Sequence, residues 1–147
     1  MITIDFNRLN ITPGSRILDI GCGTGRHTCG AFRFRNVVAI GVDINFDDVF
    51  EAQSRLKNQE RLGEHGGGMC KVSVADIYHL PFRDNYFDLV ICSEILEHLH
   101  DEKTAVSEAV RVLKPDKDLV VSVPKYLPER ICWTLSESYH KTENGHV

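Results

Sequence analysis

Asp19-Ile20-Gly21-Cys22-Gly23-Thr24-Gly25 places three glycines at alternate positions, directly after a short strand predicted over Arg16–Ile20. Without a Cβ the backbone turns sharply, and a ligand can lie against the chain with no side chain in its way. Working outward, Pro13-Gly14 supplies a turn before the strand, and a helix is predicted from near Gly25 to about Phe34. A dinucleotide fingerprint needs its third glycine three residues after the second. That position is Arg26, and the third glycine is Gly25, so a pyrophosphate seat is poorly supported. The Gly-Lys-Ser/Thr ending of a phosphate loop is absent from the sequence.

Beyond this loop, strands and helices alternate. Val37–Val42 reads as a second buried strand, and the helix after it sets Phe46, Val49, Phe50, Gln53 and Leu56 along one stripe. Asn45 reads as its N-cap. Gly66-Gly67-Gly68 breaks the chain before a third strand at Cys70–Val74, and Tyr86–Cys92 reads as a fourth. Asp101 can cap a helix from about Glu102 to Leu113, with Ala105, Val106, Ala109, Val110 and Leu113 on its core face. Pro115 stops that helix, and Leu119–Val123 reads as a fifth strand. Apolar strands alternating with amphipathic helices define the α/β class, with a mostly parallel sheet covered on both faces. One domain is expected over residues 1–147.

Composition narrows the function classes. Apolar residues make up 42% and charged residues 26% of 147, the ordinary globular mix rather than a disordered or fibrous one. No apolar run approaches the roughly 20 residues of a membrane span, and Met1-Ile2-Thr3-Ile4-Asp5 lacks a secretory start. Seventeen basic against 21 acidic residues leave a charge of −4 with no clustered basic face, so no DNA partner is expected. Five scattered cysteines without a CxxC pair argue against a disulfide framework and fit a reducing cytoplasm, the expected location.

In sheets of this kind, ligands bind at the carboxyl ends of the strands. Asp43 closes the second strand, 22 residues after Gly21, where a carboxylate can accept both hydroxyls of a ribose. Asp76, after the third strand, offers an acceptor at the same edge that suits an exocyclic amine such as that of adenine. The competing readings are a helix N-terminal acid for Asp43 and a loop cap for Asp76.

Taken in order, five segments resemble the class I S-adenosylmethionine-dependent methyltransferases. They are Ile17–Gly25, Gly41-Val42-Asp43, Ala75–Phe82, Phe87–Ser93 and Arg111–Pro115. The resemblance covers the chain from about Arg16 to Pro124 and implies a Rossmann-like, doubly wound sheet. That family fold has seven strands, of which the last two are not found here. It implies S-adenosyl-L-methionine as cofactor, with Gly21, Cys22, Gly23 and Gly25 in the loop under its methionine part. Asp43 would hold the ribose with Ile44 against the adenine, Asp76 and Ile77 would face the adenine edge, and Ser93 would sit beside the methionine end. Asp19 would orient the loop or meet the ammonium through water. Methyl transfer asks for alignment of nucleophile, methyl and sulfur, and needs a base only where the acceptor must lose a proton.

Glu94–Leu99 reads as a short helix, and at about 100° per residue Glu94, Glu97 and His98 fall on one arc opposite Ile95, Leu96 and Leu99. Two carboxylates and an imidazole at this spacing can chelate Mg²⁺ or Mn²⁺. Alternatively His98, with Glu97, lines the acceptor pocket and takes a proton, or the face is merely solvated. The ExxEH arrangement also resembles the metal site of some O-methyltransferases, which implies His146 as a further ligand and His140 as a weaker candidate. His27 and Arg26 lie just past the glycine loop, and Tyr126, Trp133 and Tyr139 can wall an acceptor site. The expected partners are a small-molecule methyl acceptor, with a hydroxyl favoured, and a second copy joined through an exposed sheet edge. A non-catalytic cofactor-binding or partner-binding module and a nicotinamide enzyme are the alternative functions.

Overall fold

The computed structural model describes residues 3–123 and Leu135. The elements run β1 (Arg16–Ile20), α1 (Arg26–Phe32), β2 (Val38–Asp43), α2 (Phe46–Arg61), β3 (Met69–Val74), β4 (Phe87–Ser93), α3 (Glu102–Val112) and β5 (Leu113–Ser122). Single 3₁₀ turns lie at Phe6–Arg8 and Leu96–His98. The sheet order is β3-β2-β1-β4-β5 with every pairing parallel. The chain builds outward from β1 to β3, then returns to set β4 on the other side of β1. The switch in strand order therefore falls between β1 and β4, where such sheets bind ligands.

Both faces of the sheet are covered, which is why its strands are apolar almost throughout. Ile17, Ala39, Val72, Leu89 and Ile91 pack with Cys29, Phe32, Val49, Ala52 and Leu56 on the α1–α2 side. The alternate residues Leu18, Ile20, Val42, Val90 and Cys92 pack against Ala105, Val106, Ala109 and Val112 of α3. At the amino ends of the strands, the Asp88 carboxylate accepts the Arg16 amide at 2.8 Å and Lys114 Nζ at 2.9 Å, joining β1, β4 and β5. The caps fall where the sequence puts them. Asn45 accepts the Asp47 and Asp48 amides, and Asp101 accepts that of Thr104.

Two of these elements differ from expectation. The buried stripe of α2 is Val49, Ala52, Leu56 and Gln59, while Phe46 and Phe50 stack on each other outside, 68% and 61% exposed. The reason is close approach to α1. A Cβ on Gly25 would lie 3.1 Å from that of Ala52, and Gln59 Nε2 donates to the Cys29 carbonyl at 3.0 Å. A phenylalanine face has no room there. The glycine triplet stands between α2 and β3 as expected and is closely packed, because a Cβ on Gly66 or Gly68 would collide with the backbone of Phe34 or Val37. Finally, β5 starts at Leu113 and carries Pro115 and Asp116 (φ 62°) in a bulge. Leu113 faces Phe87 whereas Asp118 faces Leu89.

Candidate functional site

The glycine loop spends most of its amides on the protein itself. Gly21 and Cys22 N–H donate to the Val42 carbonyl at 2.8 and 2.9 Å, and Gly25 N–H donates to that of Cys22. Gly23 N–H goes to Asp43 Oδ2 at 2.9 Å. Such a loop does not present a nest of free amides to a pyrophosphate, in line with the glycine spacing. Its surface is open at one glycine. A Cβ on Gly21 would run into Ile95 Cδ1, whereas one on Gly23 (φ 52°) would meet nothing within 4 Å.

Below the loop, Asp19 is 3% exposed and accepts Thr28 Oγ1 at 2.7 Å, tying the end of β1 to α1. Burial pushes its carboxyl up to about 7, against the hydrogen bond from Thr28, and Asp43 adds to the rise. Cys22 turns into the α1–α2 core, and burial drives its thiol far above the ordinary range, so it is chemically quiet.

Beside the loop lies a cleft of about 140 Å³, open to solvent. Its floor comes from Ile20, Gly21 and Val42, and its far wall from Ala75, Asp76, Ile77 and Tyr78. Asp43 and Ile44 stand at its rim, with Ile95 and Leu99 across from them. Asp43 accepts the Gly23 amide on Oδ2 and the Asn45 amide on Oδ1, both at 2.9 Å. Each oxygen keeps lone-pair capacity for one more donor, so the carboxylate is fixed in place and still able to grip a diol. Asp76 is exposed and caps the Tyr78 amide through Oδ1 at 2.9 Å, so the loop-cap reading holds while the residue also lines the cleft. Ile44 is 70% exposed, an apolar side chain left at the rim.

The segment after β4 corrects the expected helix. Glu94 takes a left-handed φ of 52°, and only Leu96–His98 forms a 3₁₀ turn, so Glu94, Glu97 and His98 share no helical arc. Glu94 is exposed, the Glu97 side chain is 5% exposed with Oε2 unpartnered, and the His98 side chain is 76% exposed. His98 Nε2 lies 3.9 Å from Glu97 Oε1, too long for a hydrogen bond. Among the described residues no group of three His, Cys, Asp or Glu converges to hold a metal. The expected ligand trio therefore does not fit a metal site, and His146 and His140 lie outside the described residues. So do Tyr126, Trp133 and Tyr139. The apolar half of the expectation holds, with Leu96 buried and Ile95 and Leu99 packed on the α3-side core.

Ser93 does not line the cleft. Its hydroxyl bonds Thr3 Oγ1 at 3.0 Å and Ser122 Oγ at 2.7 Å. His27 is 5% exposed, with Nε2 3.3 Å from both the amide and the hydroxyl of Thr3. Burial, reinforced by Arg26, holds its imidazole below the ordinary range, partly offset by Glu94. Sequence reasoning missed Tyr78 and Ile95 as cleft walls and Thr3 and Ser122 as neighbours of Ser93. No local pattern signals a contact between residues 90 positions apart.

This site and sheet belong to a class that comparison identifies. Residues 18–121 match the family described as a methyltransferase domain, and the chain belongs to the class I S-adenosylmethionine-dependent methyltransferase family. An uncharacterized methyltransferase of Schizosaccharomyces pombe is 38% identical over 101 residues, covering 68% of this chain and 36% of its own length. An O-methyltransferase of Aspergillus nomiae is 31% identical over 115 residues, covering 78% of this chain and 49% of its own. Among solved structures, the YcgJ protein of Bacillus subtilis aligns with a TM-score of 0.65 at 30% identity, over 79% of this chain and 47% of that one. The cyclase SpnF aligns with a TM-score of 0.76 at 23% identity, over 90% of this chain and 53% of that one, and shares the fold. The chain thus spans a third to a half of these curated relatives and about half of these structures. No helix among the described residues is long and apolar enough to cross a membrane.

Proposed function

We propose that this chain binds S-adenosyl-L-methionine in the cleft and transfers its methyl group to a hydroxyl of a small molecule. The observation that carries the reading is Asp43, held by two backbone amides at the rim of a mostly apolar cleft beside an open glycine. Asp43 takes the ribose diol, and Ile44 and Ile77 enclose the adenine with Asp76 at its edge. Gly23 leaves room for the methionine half. The cofactor supplies an already activated methyl group on a sulfonium, so the protein's task is alignment and exclusion of water. A hydroxyl acceptor must also lose a proton.

His98 is the candidate to take that proton, because it is exposed on the turn whose neighbours Ile95 and Leu99 wall the cleft. Glu97 is enclosed and acts through the turn rather than by meeting the acceptor. The preference for oxygen draws support from relatives named O-methyltransferases, such as that of Aspergillus nomiae. Residues 1–147 are read as one domain, and a homodimer through a sheet edge is the proposed assembly. Tritiated S-adenosylmethionine incubated with a panel of phenols, aliphatic alcohols, amines and thiols tests the reading. Label is expected in an ether product, with transfer to some acceptor lost in His98→Ala. Label only in amine or thiol products would overturn the hydroxyl assignment.

A further inference from the structure

The sheet order separates two kinds of chemistry at its carboxyl edge. On one side of the glycine loop, the ends of β2 and β3 build the mostly apolar cleft with Asp43 and Asp76. On the other side, the ends of β4 and β5 carry Ser93 and Ser122, which face each other in register. Across these strand ends lies the N-terminal segment. Ile4 and Phe6 are each only 7% exposed and pack in the α1–α2 core, with the Phe6 ring 6.4 Å from that of His27. Thr3, by contrast, is exposed and hydrogen-bonded to His27 and Ser93.

Those contacts form a continuous chain. Ser122 Oγ meets Ser93 Oγ at 2.7 Å, and Ser93 Oγ meets Thr3 Oγ1 at 3.0 Å. The Thr3 amide donates to His27 Nε2 at 3.3 Å, which requires that nitrogen to be the acceptor of a neutral imidazole. The low position of the His27 titration, set by burial and Arg26, keeps it so near neutral pH. Ser93 lies beside Gly21, since its predecessor Cys92 pairs with Ile20. Hydroxyls that both donate and accept suit a group carrying both a carboxylate and an ammonium.

We propose that Thr3–Phe6 is a strap closing the amino-acid end of the donor site. In this account the Thr3 and Ser93 hydroxyls exchange their mutual hydrogen bond for bonds to that zwitterion. His27 is a positioning residue that holds Thr3 over the site, and Ile4 and Phe6 are its anchor. The inference rests on the donor reading above and deepens it, making the strap the element that tells the intact donor from its adenosine fragments.

Calorimetric titration with S-adenosylhomocysteine and with 5′-methylthioadenosine, which lacks the amino-acid end, tests it. Thr3→Val is expected to weaken the first by about tenfold, the worth of one hydrogen bond to a charged group, and to leave the second unchanged. Thr3→Ser restores binding, and His27→Phe, which has no acceptor for the Thr3 amide, reproduces the same split. Amide exchange over residues 4–6 should slow with S-adenosylhomocysteine alone. Equal weakening of both ligands, or of neither, overturns the strap while leaving the donor reading intact. Failure of the unaltered chain to bind either ligand overturns both.

Discussion

Asp19, Thr28 and Gly41 lie together under the glycine loop, and each constrains the others. A Cβ on Gly41 would lie 2.6 Å from Thr28 Oγ1 and 3.0 Å from Cys22 Cβ, so this strand glycine is the space that Thr28 fills. Gly41→Ala is expected to cost about 1–3 kcal/mol in urea unfolding by crowding that hydroxyl off Asp19; an unchanged midpoint would show the pocket to be slack. Asp19 itself has a folded value of about 7 against 3.8 unfolded. A carboxyl raised in this way binds its proton more tightly in the folded state. Its contribution is therefore fully present below about pH 4 and is lost as the pH rises to about 7. Asp19→Asn should flatten that part of the stability profile and melt higher than the parent chain at pH 8. A parallel profile would assign the pH dependence elsewhere.

At this scale the sequence speaks clearly where a residue's role follows from its neighbours in the chain. Asp43 closes its strand and Asn45 caps its helix, the positions that local pattern gives them. Thr3 and Ser122 are invisible, because their contacts to Ser93 close over 90 and 29 residues through the fold alone.

Among the elements, the loop between β3 and β4 depends on α3 for its shape. Arg111 donates to the carbonyls of Leu80 and Phe82 and to the carboxylates of Asp84 and Glu108, all within 3.0 Å. Glu108 in turn accepts the Leu80 amide. Arg111→Ala should cost about 2–4 kcal/mol by leaving several partners unmade at once, measured by urea unfolding. A loss below about 0.5 kcal/mol would mean that the loop holds itself. The Arg111 hydrogen bond draws the Glu108 carboxyl below its ordinary range, so its support is present above that range and disappears as the pH falls through the folded value.

Element type was legible throughout except after β4. The 3.6-residue period there fits a helix, but the chain turns left-handed at Glu94 so that Ile95 can seat over Gly21 and Leu96 in the core. Packing overrides local pattern. The same holds for α2, whose stripe is chosen by the fit of Ala52 to Gly25 rather than by its largest apolar side chains.

Viewed whole, the molecule is a parallel sheet with an open cleft at the carboxyl ends of β1, β2 and β3, and the parallel sheet followed from the alternation of apolar strands and amphipathic helices. Both edge strands leave one side unpaired among the described residues, with Met69 and Val74 of β3 71% and 47% exposed. Light scattering at micromolar concentration is expected to give a dimer mass, and a monodisperse monomer would contradict edge pairing. The central claim is that an adenosyl group sits in the cleft with its ribose on Asp43. Calorimetric titration of S-adenosylhomocysteine into the unaltered chain and into Asp43→Ala tests it most directly. The account predicts one-to-one binding that weakens by about 10- to 100-fold in the variant, as expected when a charged diol acceptor is removed. Equal affinity in the two proteins, or no binding to the unaltered chain, would contradict it.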